Sequence, residues 1–321
     1  MKIKFGVDVG NFDTKTQHII MPSSFRTSSV GNMLAGENLF YNGNYFIPTM
    51  ERNNQQKDKT ENDYCIIMTL FGMAKELIYQ ITTQFREKNG RDASPEEIQS
   101  KINQYDVFRL GVGLPVGHIA SLAEKTAECY KSHFINPFSF TYNQYEFHMK
   151  MEECTVFPQD FIAVAFNPDV QIVKEYEEYY IIGIGGGTAD IIPVVNGTPV
   201  IEKCETLLMG TTVMYQYIIS SIQRETGDTM NYSSIESILL NKPSIVKEDR
   251  KKRIKELEAE FVNKLVDEIE HKGMRLSDYP CVFIGGGALM MKPTLESNSK
   301  IAYSNFITDV NANAKFYASF A

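Results

Sequence analysis

Two short stretches of this chain can be laid on one another: Val7-Asp8-Val9-Gly10-Asn11 and Ile182-Gly183-Ile184-Gly185-Gly186. Each is an apolar strand that runs into a glycine turn and returns as a second strand. The matched positions lie 175 residues apart (182 minus 7) in a chain of 321. A chain that restarts the same hairpin half-way along reads as two related lobes, and its length suits two ordinary domains. Around both hairpins the pattern alternates strands and helices, so an α/β fold is expected.

In the first half, residues 2–9 read as a strand and Thr14 to Ile20 as its hairpin partner. Residues 31–63 are rich in Asn, Gly and Gln, with a hairpin expected at Leu39–Phe46. Residues 64–88 carry helical spacing through Ile67, Leu70, Phe71, Ala74, Leu77, Ile78 and Ile81. Ser94-Pro95-Glu96-Glu97 is a helix start, with Ser at the N-cap and Glu at the third position. Val107 to Pro115 reads as a buried strand, followed by a helix to about His133 and two short strands around Tyr142-Asn143 and Cys154–Phe157.

In the second half, Tyr179–Ile184 and Ala189–Val195 flank the turn Gly185-Gly186-Gly187, and Asn196-Gly197 signals a further hairpin into Thr198–Lys203. A helix is expected from Gly210-Thr211-Thr212, and a long amphipathic one over Arg250–His271. The charge run from Lys247 to Glu256 reads as its solvated face. Cys281–Ile284 is a buried strand ending in Gly285-Gly286-Gly287.

Composition removes several classes. With 43% hydrophobic and 22% charged residues the chain is not disordered throughout. The net charge of -8, from 32 Lys+Arg against 40 Asp+Glu, argues against a broad basic face for nucleic acid. Five scattered cysteines without a CxxC give neither a disulfide framework nor a zinc ribbon, so reduced, buried thiols are expected. No stretch approaches the ~18 apolar residues of a membrane span, and the N-terminus lacks a signal-peptide run. A cytoplasmic protein without membrane attachment is expected.

Three glycine turns follow apolar strands, at Gly10, Gly185–Gly187 and Gly285–Gly287. Glycine lets a backbone approach a ligand closely and aim N–H groups at phosphate oxygens. The absence of GK[ST] excludes a P-loop. A returning strand rather than a helix follows Gly183–Thr188, which disfavours a dinucleotide-binding turn. The remaining reading is a pair of hairpins gripping one phosphate chain, with acids holding hydrated Mg²⁺. Asp8 is that acid in the first loop; in the second, Gly183 takes its place and the acid comes later, at Asp190.

At these residues the chain resembles the actin/Hsp70/sugar-kinase superfamily, and within it the bacterial actin-like plasmid-segregation proteins of the ParM/StbA type. Asp8-Val9-Gly10-Asn11-Phe12-Asp13-Thr14-Lys15 looks like the first phosphate motif, and Gly185-Gly186-Gly187-Thr188-Ala189-Asp190 like the second. Gly111 to Val116 resembles the family's Gly-Leu-Pro strand end, and Val156-Phe157-Pro158-Gln159-Asp160 the segment that positions water. Ile284 to Ala288 resembles the adenosine motif, and Asp309 to Tyr317 the closing helix.

The resemblance implies two RNase H-like lobes, each a mixed sheet flanked by helices, around a nucleotide cleft holding ATP and Mg²⁺. It places lobe I at 1–167, completed by the helix at 303–321, and lobe II at 168–302. It also assigns roles. Asp8 would hold Mg²⁺ through water and, with Gln159 and Asp190, form the catalytic set. Gln159 would orient the attacking water as a neutral amide. Gly10, Asn11, Phe12, Asp13, Lys15, Gly185, Gly186, Gly187, Thr188 and Gly210 would surround the phosphates. Gly285, Gly286, Gly287 and Ala288 would lie beside adenosine.

The implied function is an ATPase that polymerises into nucleotide-dependent filaments, moving plasmid or phage DNA through a DNA-binding adaptor protein rather than by direct contact. ATP and GTP both remain open. The segment 31–63 is read as a subunit contact or a surface loop. One departure stands out: the family usually has Asp where this chain has Gly183, so slow turnover is expected unless Asp190 compensates. A small-molecule kinase of the same superfamily, acting on a sugar or carboxylate, is the alternative; it needs an acidic base where Gln159 stands.

Overall fold

The computed structural model describes residues 1–31, 36–49 and 63–321. Most of the interior of the 31–63 segment, read above as a subunit contact or surface loop, therefore lies outside the described residues. Two units emerge: residues 1–162 with 311–321, and residues 163–310.

The first unit opens with β1 (Lys2–Val9), β2 (Asp13–Lys15), β3 (Ile20–Pro22) and β4 (Phe25–Ser28). The strand expected over Thr14–Ile20 is thus broken in two. Thr16 turns inward, where its hydroxyl reaches the Glu76 carboxylate at 2.6 Å, and its backbone N–H closes a turn onto the Ile19 carbonyl at 2.9 Å. The expected hairpin at 39–46 is present as β5 (Leu39–Tyr41) and β6 (Asn44–Pro48).

Helix α1 (Tyr64–Asn89) ends at Gly90, whose φ of 68° supplies the left-handed cap. By length and composition α1 could cross a bilayer, an exception to the sequence expectation, yet 72% of its apolar window is buried inside the protein. It is the core helix of this unit. Helix α2 (Pro95–Ile102) starts with the reciprocal Ser94/Glu97 capping box that the sequence announces.

Next come β7 (Val107–Leu114), α3 (Val116–Phe134), β8 (Phe138–Tyr142), β9 (Tyr145–Pro158) and the short α4 (Phe161–Ala165). The two short strands expected here are instead a hairpin whose second arm, β9, runs 14 residues. Its inner half continues as a parallel neighbour of β7. The described strands form one mixed sheet in the order β3-β2-β1-β7-β9-β8-β5-β6-β4. Parallel pairing of β1, β7 and β9 at its centre is covered on both faces, so β1 is buried continuously from Phe5 to Val9.

The second unit holds α5 (Ile172–Glu175), β10 (Glu178–Ile184), β11 (Ala189–Val195), β12 (Thr198–Pro199), β13 (Glu205–Leu207), α6 (Thr211–Thr226), α7 (Tyr232–Leu239) and α8 (Glu248–His271). It continues with β14 (Cys281–Ile284), α9 (Gly286–Met290), α10 (Lys292–Ser297) and β15 (Ser304–Phe306). Its sheet runs β12-β11-β10-β14-β15, with β13 added on β11. The strand expected over 198–203 stops at Pro199 and gives way to a 3-10 turn over Ile201–Lys203. Helix α8 buries Ile254, Leu257, Phe261, Leu265 and Ile269 as one stripe, as its spacing requires.

The last helix, α11 (Ala312–Phe320), returns to the first unit. It lies on β1 and β7 at Gly6, Gly111 and Gly113. Gly6 and Gly111 are side by side in the parallel register. A Cβ on Gly6 would come within 1.8 Å of the Ala314 carbonyl oxygen, and one on Gly111 within 2.4 Å of that of Tyr317. The three glycines form a bare floor that lets a helix backbone sit directly on the sheet.

Candidate functional site

In the first unit β1 and β2 pair antiparallel with Asp8 opposite Lys15 and Val9 opposite Thr14. The turn Gly10-Asn11-Phe12-Asp13 closes when the Gly10 N–H donates to the Asp13 carbonyl at 3.1 Å. Gly10 is required there, because a Cβ would meet that same oxygen at 2.6 Å. Thr14 faces inward, its hydroxyl 2.8 Å from that of Ser23. Asp13 and Lys15 therefore take the other face. Directly opposed residues point to the same side of a hairpin, so Asp8 and Lys15 share one face.

Asp8 also lies on the same face of β1 as Gly6, the face that α11 covers, and is only 9% exposed. Burial, helped by the charges of Asp8 and Asp160, holds the Tyr317 phenol well above its usual range. Among the described residues the buried Tyr317 hydroxyl has no hydrogen-bond partner, and its ring stacks on Phe157 at 5.7 Å. A Cβ on Gly113 would fall 2.0 Å from that hydroxyl, which explains the second glycine of Gly111-Val112-Gly113.

The carboxyl ends of the three parallel strands meet here. β9 ends at Pro158, and the Gln159 N–H donates to the Leu114 carbonyl at the end of β7, at 2.8 Å. Asp160 then takes a φ of 61° and is buried. Asn313 grips it from α11, accepting from its N–H at 3.0 Å and donating to its carboxylate at 2.8 Å. Asn311 at the start of α11 donates to the carbonyls of Thr16 and Ile19, at 2.7 and 3.1 Å. Asp160 and Asn311 were singled out only as parts of motifs, and Asn313 likewise. Their geometry makes them positioning residues that pin Gln159 and the first hairpin to the last helix. The Asn-Ala-Asn run was the available signal, since two amides two residues apart at a helix start can serve two loops.

In the second unit β10 and β11 repeat the hairpin. Gly183 is opposite Asp190 and Ile184 opposite Ala189. The Gly185 N–H closes the turn onto the Thr188 carbonyl at 2.9 Å. Gly183 thus stands where the first hairpin has Asp8, and Asp190 where it has Lys15. By the cross-strand rule, the Asp190 carboxylate occupies the face that a side chain at 183 would take. It is tied there by the hydroxyls of Thr188, at 3.0 Å, and Thr206 on β13, at 2.6 Å.

This second turn is braced from behind. N–H groups at the start of α6 donate to it: Gly210 to the Gly187 carbonyl at 3.1 Å, Thr211 to Gly185 at 3.0 Å and Thr212 to Gly186 at 2.8 Å. In a planar trans peptide the N–H points opposite to the C=O. With three carbonyls turned to α6, the N–H groups of Gly186, Gly187 and Thr188 are directed away from it. Three successive N–H groups facing one way make an anion-binding concavity. Gly210 lies behind the turn: a Cβ there would be 2.6 Å from Gly186 and Gly187 backbone atoms.

The third glycine stretch joins this turn. β14 pairs parallel with β10, Ile284 beside Gly183. Gly285 has a φ of 101°, and its Cβ would meet the Ile184 carbonyl at 2.5 Å. Ala288 is buried, whereas Gly286 faces open space. The structure therefore gathers Gly183–Thr188, Asp190, Gly210 and Gly285–Ala288 in the second unit, and Asp8, Gly10–Asp13, Lys15 and Gln159 in the first. α8 and α10 stand behind the second group. Glu258 of α8, 5% exposed, accepts from the Thr294 hydroxyl at 2.6 Å, while its other oxygen is buried without a partner among the described residues. Burial pushes this carboxyl up to about 7.

Against solved structures the likeness extends over the whole chain. An archaeal actin homologue in complex with ADP superposes with a TM-score of 0.67 at 15% identity, over 99% of this chain and 98% of that one. The chain has an actin-like fold. A 15-stranded ParM filament from Clostridium botulinum matches this actin-like chain at 0.69 and 16% identity, over 100% and 99% of the two chains. Bacillus thuringiensis ParM with ATP matches at 0.62 and 12% identity, over 99% and 96%. The family described as archaeal actin homologue MreB-like, C-terminal, matches residues 181–297, from β10 to α10 of the actin-like chain. No curated protein sequence matches it.

Proposed function

We propose that this chain is a ParM-type ATPase of the cytoplasm that assembles into nucleotide-dependent filaments and moves plasmid or phage DNA through an adaptor. The observation that carries the nucleotide part is the second turn: three outward N–H groups on Gly186, Gly187 and Thr188, fixed by α6 behind them. A phosphate group is the ligand that such a concavity fits. The glycines beside it, Gly285 and Gly286, leave the backbone bare for a flat base and sugar. Solved relatives bearing ADP and ATP support the same reading. Filament formation is supported by the ParM filament likeness.

In this reading Lys15 neutralises phosphate charge from the first hairpin, and Gln159 orients a water by its neutral amide. Mg²⁺, when bound, would supply positive charge against the phosphates, and Asp8, nearly buried, is the acid that would hold it. Asp190 takes the face left bare by Gly183, but both its oxygens already accept threonine hydroxyls. It is therefore the weaker acid partner, and turnover is slow.

The test is the purified chain with ATP and Mg²⁺, followed by phosphate release, pelleting and electron microscopy. Filaments that form with ATP and disperse as phosphate is released are expected. A chain that stays monomeric well above micromolar concentration, or that consumes ATP only when a sugar or carboxylate is added, overturns the reading.

A further inference from the structure

The charge run at the start of α8 is only partly absorbed into its own solvated face. Arg253 is paired with Glu225, Glu256 and Glu260. Four lysines, Lys242, Lys251, Lys252 and Lys255, instead line an open groove between the end of α7 and the first turns of α8. Glu248 offsets Lys251 at 2.7 Å, and Lys252 reaches Glu256 only at 4.0 Å. The loop that edges this groove carries Ile245, fully exposed. Four lysines against Glu248 and Glu256 leave the groove lining net positive, and a large β-branched side chain stands fully in water beside it.

The same unit carries the opposite surface elsewhere. Glu175 and Glu177 just before β10, and Glu178 at its start, are exposed. Beside them Tyr176 and Tyr303 are about half exposed, with ring centroids 6.3 Å apart. Glu178 also faces Tyr279, whose phenol it raises by its charge. The topology sets the separation. β10, β14 and β15 begin together, Tyr180 beside Cys281 and Cys281 beside Ser304, so these acids and tyrosines share one sheet edge. α8 ends next to that edge, since Met274–Pro280 leads directly from it into β14. The lysine groove lies at the other end of α8, whose 24 residues span about 36 Å.

We infer that the lysine groove with Ile245 binds the acidic, tyrosine-bearing edge of a second copy of this chain. This rests on the filament reading above and names its contact. An apolar side chain set among aromatic rings with charges around it has the make-up of an interface centre and rim. Two different surfaces at opposite ends of one helix make a head-to-tail contact, which each copy repeats on the next instead of closing as a dimer. Its charged part weakens as salt rises.

The experiment measures the critical concentration for assembly by pelleting with ATP and Mg²⁺, with binding of a fluorescent ATP analogue as the control for folding. Ile245→Asp should raise the critical concentration about tenfold or more. Lys242→Glu with Lys252→Glu, and separately Glu175→Lys with Glu177→Lys, should each raise it. All four reversals in one chain should bring it back toward wild type, because the charges again match. Nucleotide binding should stay unchanged throughout. If wild type assembles and these variants assemble equally well, or if the combined reversal restores nothing, the contact is wrong and the filament reading stands. If wild type binds nucleotide and never assembles, both fall.

Discussion

The two glycine hairpins have the same backbone and different support. Each closes by one bond from its first glycine, Gly10 to Asp13 and Gly185 to Thr188, and Gly183–Asp190 in the second stands in the register of Asp8–Lys15 in the first. The first is held through its strands, by a helix lying on a floor of glycines. The second is held at the turn itself, by three N–H groups of α6. The charges differ as well. Acid then lysine across the first hairpin becomes glycine then acid across the second. A repeated backbone can thus keep its geometry while its chemistry becomes unequal, leaving the first hairpin with the less encumbered carboxylate.

That inequality is tested most directly by turnover. Asp8→Ala is expected to lower phosphate release on the order of 10²–10³-fold. Asp190→Ala should lower it less, since Asp190 is tied to Thr188 and Thr206. The reverse order, read by single-turnover kinetics, would move the metal side to the second hairpin.

The layers behind the hairpins differ too. Behind the second, Glu258 has a carboxyl near 7 in the folded chain against an ordinary 4.5. Between pH 4.5 and 7 the native state keeps a proton that the unfolded chain has lost, so stability falls as pH rises through that window. Glu258→Gln should therefore raise stability at pH 8 by up to about 3 kcal/mol, read as a higher melting temperature, and leave it nearly unchanged at pH 4.5. An equal effect at both pH values would mean that the carboxyl is not strained by burial.

The turns themselves respond differently to a methyl group. Gly10→Ala drives a Cβ to 2.6 Å from a backbone oxygen and should cost about 1–3 kcal/mol in thermal unfolding. Gly185→Ala meets nothing nearer than 3.8 Å and should stay within about 0.5 kcal/mol of wild type. Any loss of nucleotide affinity in Gly185→Ala then reports ligand approach rather than misfolding. Behind the first hairpin, Tyr317→Phe removes a buried hydroxyl without a partner and should be neutral or stabilise by about 1 kcal/mol. A clear destabilisation would show that the hydroxyl is satisfied in solution.

Much of this was legible from residue pattern. The hairpins, the long helices, the Ser94 cap and the alignment of Gly10 with Gly185 all follow from local rules of turn chemistry and periodicity. Less legible were features created by distant partners. Gly111 and Gly113 read as a strand end, because nothing local says that a helix 200 residues later will press on them. Gly210 gave no local sign that its bare backbone also makes room for the turn in front of it. The strand after Lys15 failed because Thr16 found Glu76, and the short β12 because pairing with β11 stops at Pro199. Helix α7 starts at an Asn231 cap, a local signal of the same kind as Ser94.

The glycine floor under α11 has a consequence for how the molecule comes into being. On a ribosome, the nine strands described for the first unit emerge early, yet the segment that covers β1 and β7 is translated after all of the second unit. Until residues 311–321 appear, that face of the sheet stays uncovered and Asp160 has no amide to hold it. The second unit can fold as a contiguous stretch while the first waits. Completion of the first unit is then a late, long-range step, and a partly made chain lacks the helix that braces its first hairpin.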